Sequence, residues 1–229
     1  MKAIFYICVL FSVATSTALD NELREEAEFK MEFSNPLLSI YQKDLKINLA
    51  GDQMRSKENG IFTLLNVNTK IEKELQESNL SANHAVYNEV QNYIDFTRSV
   101  NLIFNTDNDK AQLKTETLAI DLDREIIISK DLAELYLTGF YISAKSFIYN
   151  LKTGSEYLVE FFEGEFIDKE SSENYGKADS LQVLKNNIIL LKGNATLTQG
   201  TINIAAESIY YDYLERSVIK SINAKVTNI

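Results

Sequence analysis

The residues of this chain best suited to chemistry are few and scattered. There is one histidine, His84, and one cysteine, Cys8. A hydrolase needs a nucleophile beside a base. His84 lies in Ala82-Asn-His-Ala-Val-Tyr-Asn88, at a position that hydroxyl residues fill in related segments, so a histidine on a sheet face is the simpler reading. Asp107-Asn-Asp109 reads as a hairpin turn. Glu163 and Glu165 alternate along a strand, which puts both carboxylates on one solvated face rather than on either side of a glycosidic bond. No His/Cys cluster or carboxylate-rich loop has metal-ligand spacing, and no phosphate-binding loop occurs. The sequence therefore assigns no catalytic residue, no metal and no cofactor. The sequons Asn79-Leu-Ser81 and Asn194-Ala-Thr196 matter only in a eukaryotic secretory pathway.

What would position any site is the better guide. The chain opens with Met1-Lys2, an apolar run from Ala3 to Ala14 and the small residues Thr15-Ser16-Thr17-Ala18. These are the parts of a secretory signal, which predicts export with a cut after Ala18 and residence in the periplasm. The run is shorter than the ~20 residues a membrane-spanning helix needs. The alternative is an uncleaved segment that anchors the chain in the inner membrane. Cys8 lies inside the run, so the mature chain would hold no thiol, and a thiol-free exported chain of this size fits a bacterial periplasm better than disulfide-stapled secreted modules. With 33 acidic against 23 basic residues and a net charge of -10, no basic run is left to meet phosphates. Nucleic acid is excluded as a partner, and attraction to an anionic membrane surface is disfavoured.

After the signal, residues 19–44 form a charge-rich lead-in, of which Asp20 to Phe33 suits a short helix or a mobile segment. From Leu45 onward short apolar alternations separated by polar turns predict consecutive antiparallel strands, an all-β fold. Thr69 to Asn79 is helical by composition, which makes the strand reading weakest there. The chain also repeats itself. Ile126 to Ser155 aligns without gaps on Ile188 to Ser217 at an offset of 62 residues, with Leu135 on Leu197, Ile142 on Ile204 and Tyr149 on Tyr211. A half-repeat of the form small-x-hydroxyl-apolar-x-apolar-polar recurs about every 31 residues, at Ala82–Asn88, Thr115–Asp121, Ala144–Asn150, Ala178–Leu184 and Ala206–Asp212. Each unit is two strands and two turns, and a run of such units stacks as a solenoid or a rolled sandwich. The polar stretch Asp168 to Asn174 is the best seam between a portion over 45–167 and a second over 168–229, with the sheet continuing across it.

The last copy, Gly176-Lys-Ala-Asp-Ser-Leu, Leu191-Lys-Gly-Asn-Ala-Thr-Leu-Thr-Gln-Gly200 and Ile204-Ala-Ala-Glu-Ser-Ile-Tyr-Tyr-Asp212, resembles the OstA-like family of lipopolysaccharide-transport proteins, which includes LptA and LptC. The stretch from Leu113-Lys-Thr-Glu-Thr-Leu118 through Gly154 looks more like the LptC branch, and the branch stays open. The resemblance implies an open, twisted β-jelly roll with an apolar groove for acyl chains and end strands that pair with neighbouring bridge proteins. It also implies a carrier rather than an enzyme. The implied partners are lipopolysaccharide or a related glycolipid, other jelly-roll bridge proteins, an inner-membrane ABC transporter complex and an outer-membrane translocon.

On that reading the strand faces that would otherwise be only core become the groove. The candidates are Leu135, Leu137, Phe140, Ile142, Leu197, Ile202 and Ile204. The C-terminal segment Val218 to Ile229 alternates so that Val218, Ile222, Ala224 and Val226 share a face, which makes it the candidate docking edge. Two other functions stay open: a structural or adhesive β-solenoid with a filled interior, and an envelope hydrolase on a β scaffold.

Overall fold

The computed structural model describes residues 31–228 apart from 58, 75, 107–109, 153, 154, 156 and 172. The signal at 1–18, the lead-in as far as residue 30 and the turn at 107–109 lie outside the described residues. Seventeen strands form one antiparallel sheet: β1 (Met31–Ser34), β2 (Leu37–Gln42), β3 (Leu45–Ala50), β4 (Gln53–Lys57), β5 (Ile61–Lys73), β6 (Gln76–Asn88), β7 (Tyr93–Asn105), β8 (Lys110–Asp121), β9 (Ile126–Ser129), β10 (Ala133–Leu137), β11 (Phe140–Asn150), β12 (Tyr157–Asp168), β13 (Asn174–Leu184), β14 (Ile188–Gln199), β15 (Ile202–Asp212), β16 (Ser217–Ile222) and β17 (Lys225–Asn228). The all-β expectation holds. Strands begin at Met31, within the stretch read as a lead-in. Thr69 to Asn79 lies in the β5–β6 hairpin, because Val67, Thr69, Ile71 and Lys73 are buried at alternate positions, and that period of two outweighs the composition.

The sheet is a succession of long strands, each bent in the middle. β3 and β4 both pair with β5, β9 and β10 both pair with β8 and β11, and β16 and β17 both pair with β15, so each such couple is two halves of one bent strand. The bends have a local cause. Asn35, Asn66, Arg98, Ser99, Glu163, Gly193, Asn194 and Asn223 hold φ between 46° and 71°, a left-handed conformation that interrupts the pleat as a bulge does. Across most bends the buried positions change parity. Leu64 and Val67 are both buried with Leu65 and Asn66 exposed between them, so both arms of the strand face one interior. The arms meet across that interior: Phe104 on β7 packs on Tyr149 on β11 at a ring-centroid distance of 4.7 Å, and Phe140 packs on Tyr211 at 6.1 Å. The result is a twisted β-jelly roll.

The half-repeat is this bend read in sequence. Its small residue lies on the inside of the corner, where Ala82, Ala144 and Ala178 are buried; its second residue, Asn83, Glu116, Lys145, Asp179 or Glu207, is exposed outside. Its two apolar residues, such as Phe147 with Tyr149 and Ile209 with Tyr211, line the interior. Its closing Asn or Asp caps the next turn: Oδ1 of Asn88 accepts from the backbone N–H of Val90 and Gln91, and Oδ1 of Asp212 accepts from Leu214 and Glu215.

Candidate functional site: the interior and its two edges

Over most of its length the interior is filled. Phe140, Phe166 and Tyr211 form a mutual aromatic cluster, with Phe166 stacked on Tyr211 at 5.3 Å. Gly176 stands opposite Phe166 in the register, and a Cβ there would collide with the Phe166 ring, so the glycine is the space that ring needs. The Tyr211 hydroxyl is buried and has no hydrogen-bond partner among the described residues, and burial, with Asp168 adding, pushes its pKa up to about 12. Burial likewise raises the Tyr149 phenol, although Ser78 lies 3.4 Å away as its hydrogen-bond partner.

Two charged seams close the roll where the turns of one arm meet those of the other. In the N-terminal half Lys73, 6% exposed, and Lys43 both donate to Glu125, whose side chain is 9% exposed. The hydrogen bond from Lys73 first, and that from Lys43 second, hold the Glu125 carboxyl below its ordinary pKa. Beside them Asp123 accepts from Gln42 and Asn92. In the C-terminal half Arg216 pairs with the fully buried Asp168 at 2.9 Å and with Glu170. Sequence reading missed both seams. Its available signal was the likeness of the turns Asp121-Leu-Asp-Arg-Glu125 and Asp212-Tyr-Leu-Glu-Arg216, each ending on a left-handed residue, but the partners lie 52 and 48 residues away.

The candidate groove residues share this interior. Leu135, Leu137, Phe140, Ile142 and Leu197 are buried in it, Ile204 is half-buried against it, and Ile202 is 42% exposed although it stands in register with Gln199 beside Leu197 on the same inner side. β17 continues the uncovered face, with Val226 paired to Ile204 and 61% exposed. On the candidate docking edge Val218 packs against the core, Ile222 is half-buried and Ala224 and Val226 are exposed; among the described residues β16 and β17 pair with β15 alone. His84 sits just after the bend of β6 with the Thr97 hydroxyl 3.4 Å from its Nδ1, and burial, with Arg98 adding, lowers its pKa. Among the described residues no three His, Cys, Asp or Glu side chains gather as a metal site requires.

This architecture has a counterpart among known families: the family model described as lipopolysaccharide-assembly, LptC-related, matches residues 45–160, half of the chain. The chain belongs to that family. No curated protein matches it. Membership gives this LptC-related protein a role in lipopolysaccharide transport and associates it with the envelope. The matched span runs from β3 into β12, through the sealed half of the roll and the first seam. The uncovered face at Ile202, Ile204 and Val226 lies beyond it.

Proposed function

We infer that this LptC-related protein is a non-enzymatic periplasmic carrier that takes the acyl chains of lipopolysaccharide, or of a similar amphiphilic glycolipid, against its inner sheet face on the way from inner to outer membrane. The observation that carries this reading is the inner face at Ile202, Ile204 and Val226, where an apolar surface that is core elsewhere is left open. Each methylene buried there contributes about 0.8 kcal/mol, so acyl chains bind without any polar code. The β16–β17 edge bounds the same opening, and its unpaired backbone groups suit strand addition by another jelly-roll bridge protein, whose inner face would continue this one. An inner-membrane ABC transporter complex supplies energy to such a route and an outer-membrane translocon receives its cargo. The filled N-terminal interior favours a second reading, a solid solenoid whose outer surface does the work.

The two readings part on one variant. Ile204→Asp with Val226→Asp puts two carboxylates in the open face, where both side chains reach water and the fold persists. On the carrier reading, co-purification of lipopolysaccharide falls at least tenfold while the melting temperature stays within a few degrees. Unchanged lipid recovery sinks the carrier reading in favour of the solenoid.

A further inference from the structure

A wide groove lies on the outside of the roll, not inside it. It holds about 590 Å³ over the outward face of β2, β3, β5, β6 and β7, within the range of small-molecule sites. Two neighbouring cross-strand rows floor it. One runs Ala50, Asn68, Ser81, Asn101 and the other Ser39, Asn48, Lys70, Asn79, each residue paired with the next. Four amides and two hydroxyls are thus gathered on adjacent strands. Asparagine is among the residues that strands disfavour, so four in mid-strand run against local propensity, as sequences do where function overrides it.

The chemistry of the lining narrows the ligand. Each amide offers both donors and an acceptor, which matches hydroxyl groups that both give and take hydrogen bonds. Ser39 donates to Asn48 at 2.8 Å and Gln112 donates to Asn101 at 2.8 Å, which orients those two amides. The rim cations are committed: Lys70 pairs with Glu72 at 2.7 Å and Glu77 at 3.0 Å, and Lys46 with Glu72 at 3.1 Å. A phosphate site would need them unpaired. Tyr41 and Leu37, exposed on the edge strand, give the groove an apolar wall against which a sugar ring can lie. The Asn79 row then passes through Ile103 and Gln112 to Tyr136, Tyr141, Ile167 and Tyr175 on successive strands. Tyr136 and Tyr141 both donate to Glu134 at 2.8 Å, which fixes the two rings. Those rings lie against each other at 5.3 Å, and Lys114 and Lys169 cover the Tyr136 ring, so the hydrogen-bonding surface offered to a chain of sugars is the row of amides rather than the aromatic faces.

We propose that the outward groove on β2, β3, β5, β6 and β7 is a glycan-binding site, with Asn68 and Asn79 as its central hydrogen-bonding pair. Such a chain has two sources in the envelope: the saccharide part of the transported glycolipid, which would deepen the carrier reading and rests on it, or the glycan of the cell wall. The test is NMR titration of the full chain with two probes, lipid-free oligosaccharide released from lipopolysaccharide by mild acid and soluble peptidoglycan glycan fragments. The same titrations are run on Asn68→Ala/Asn79→Ala and on the open-face variant Ile204→Asp/Val226→Asp. Shifts confined to the groove, saturating with one probe and weakened at least tenfold in the asparagine double variant, support the site, and the probe that binds names the source. Because Asn68 and Asn79 are exposed and make no side-chain hydrogen bond among the described residues, the double variant keeps the parent's melting temperature. Retained oligosaccharide binding in the open-face variant, with lipid recovery lost, shows that the glycan site stands apart from the acyl-chain face. No groove shift with either probe, or equal binding by the asparagine variant, overturns the proposal whatever the outcome for lipid.

Discussion

At the N-terminal edge of the roll, Leu38 and Ile40 on β2 are almost completely buried, whereas at the C-terminal edge Val226 on β17 is 61% exposed. Both edges are bent strands, and among the described residues each pairs on one side. The seams do not follow that difference: each holds a buried carboxylate, Glu125 or Asp168, and a cation that reaches the surface, Lys43 or Arg216, and the first adds the buried Lys73. The repeat thus builds one wall throughout, and what varies along the chain is how well the opposite arm covers it. An apolar face with cover is a core. The same face without cover is a binding surface; among the described residues that second condition is met across Ile202, Ile204 and Val226 at the C-terminal edge, and at the N-terminal edge at Met31, which stands in register with the inward Ser56 and is 50% exposed.

Substitutions along that axis separate covered from uncovered positions. The largest effect belongs to Phe166→Ala, which empties the centre of the aromatic cluster against Tyr211 and Phe140 and should cost about 3–5 kcal/mol in a denaturant melt. A matched pair comes next, because the repeat puts Ile142 and Ile204 at equivalent positions. Ile142→Ala removes a fully buried side chain and should cost about 3 kcal/mol, whereas Ile204→Ala should cost about 1 kcal/mol or less, and equal losses would mean that the two ends are covered alike.

Glu125→Gln weakens the closed seam by about 2 kcal/mol, less than the ~3–5 kcal/mol of a lost partner in a buried pair, because the amide keeps a hydrogen bond to Lys73. It also changes the acid limb. The folded Glu125 carboxyl titrates below its unfolded value of about 4.3, so its contribution is complete above that pH and is lost as pH falls through the folded value. The variant should therefore melt with a flatter pH dependence below about pH 4. The smallest effect is at His84, whose lowered pKa favours the neutral ring in the fold. Its contribution is present above the unfolded value of about 6.5 and declines as pH drops below it. Stability of His84→Gln, measured at pH 7 and pH 5.5, should fall less between the two than that of the parent.

Much of this fold was legible in the sequence. Alternation announced the strands, and the spacing of Ala144, Ser146, Phe147, Tyr149 and Asn150, repeated at Ala206 to Asp212, announced the bent unit, because each position answers a local demand of corner, face or turn. Thr69 to Asn79 misled by composition, since charged residues on an exposed strand face look like those of a helix surface. The seams were hidden because ion pairs between turns some fifty residues apart leave no local pattern. Which inward residues are covered was hidden too: Leu197 and Ile204 read alike in sequence, and only the position of the opposite arm separates them.

If lipid reaches the inner face toward the C-terminal edge, site-specific photo-crosslinking to lipopolysaccharide will record it residue by residue. With the crosslinker placed in turn at Ile47, Ile142, Ile204 and the outward-facing Asn203, the strongest lipid adduct is expected at Ile204, weaker labelling at the covered Ile142 and Ile47, and none at Asn203. Adducts at Asn203 equal to those at Ile204, or an adduct strongest at Ile47, would contradict it.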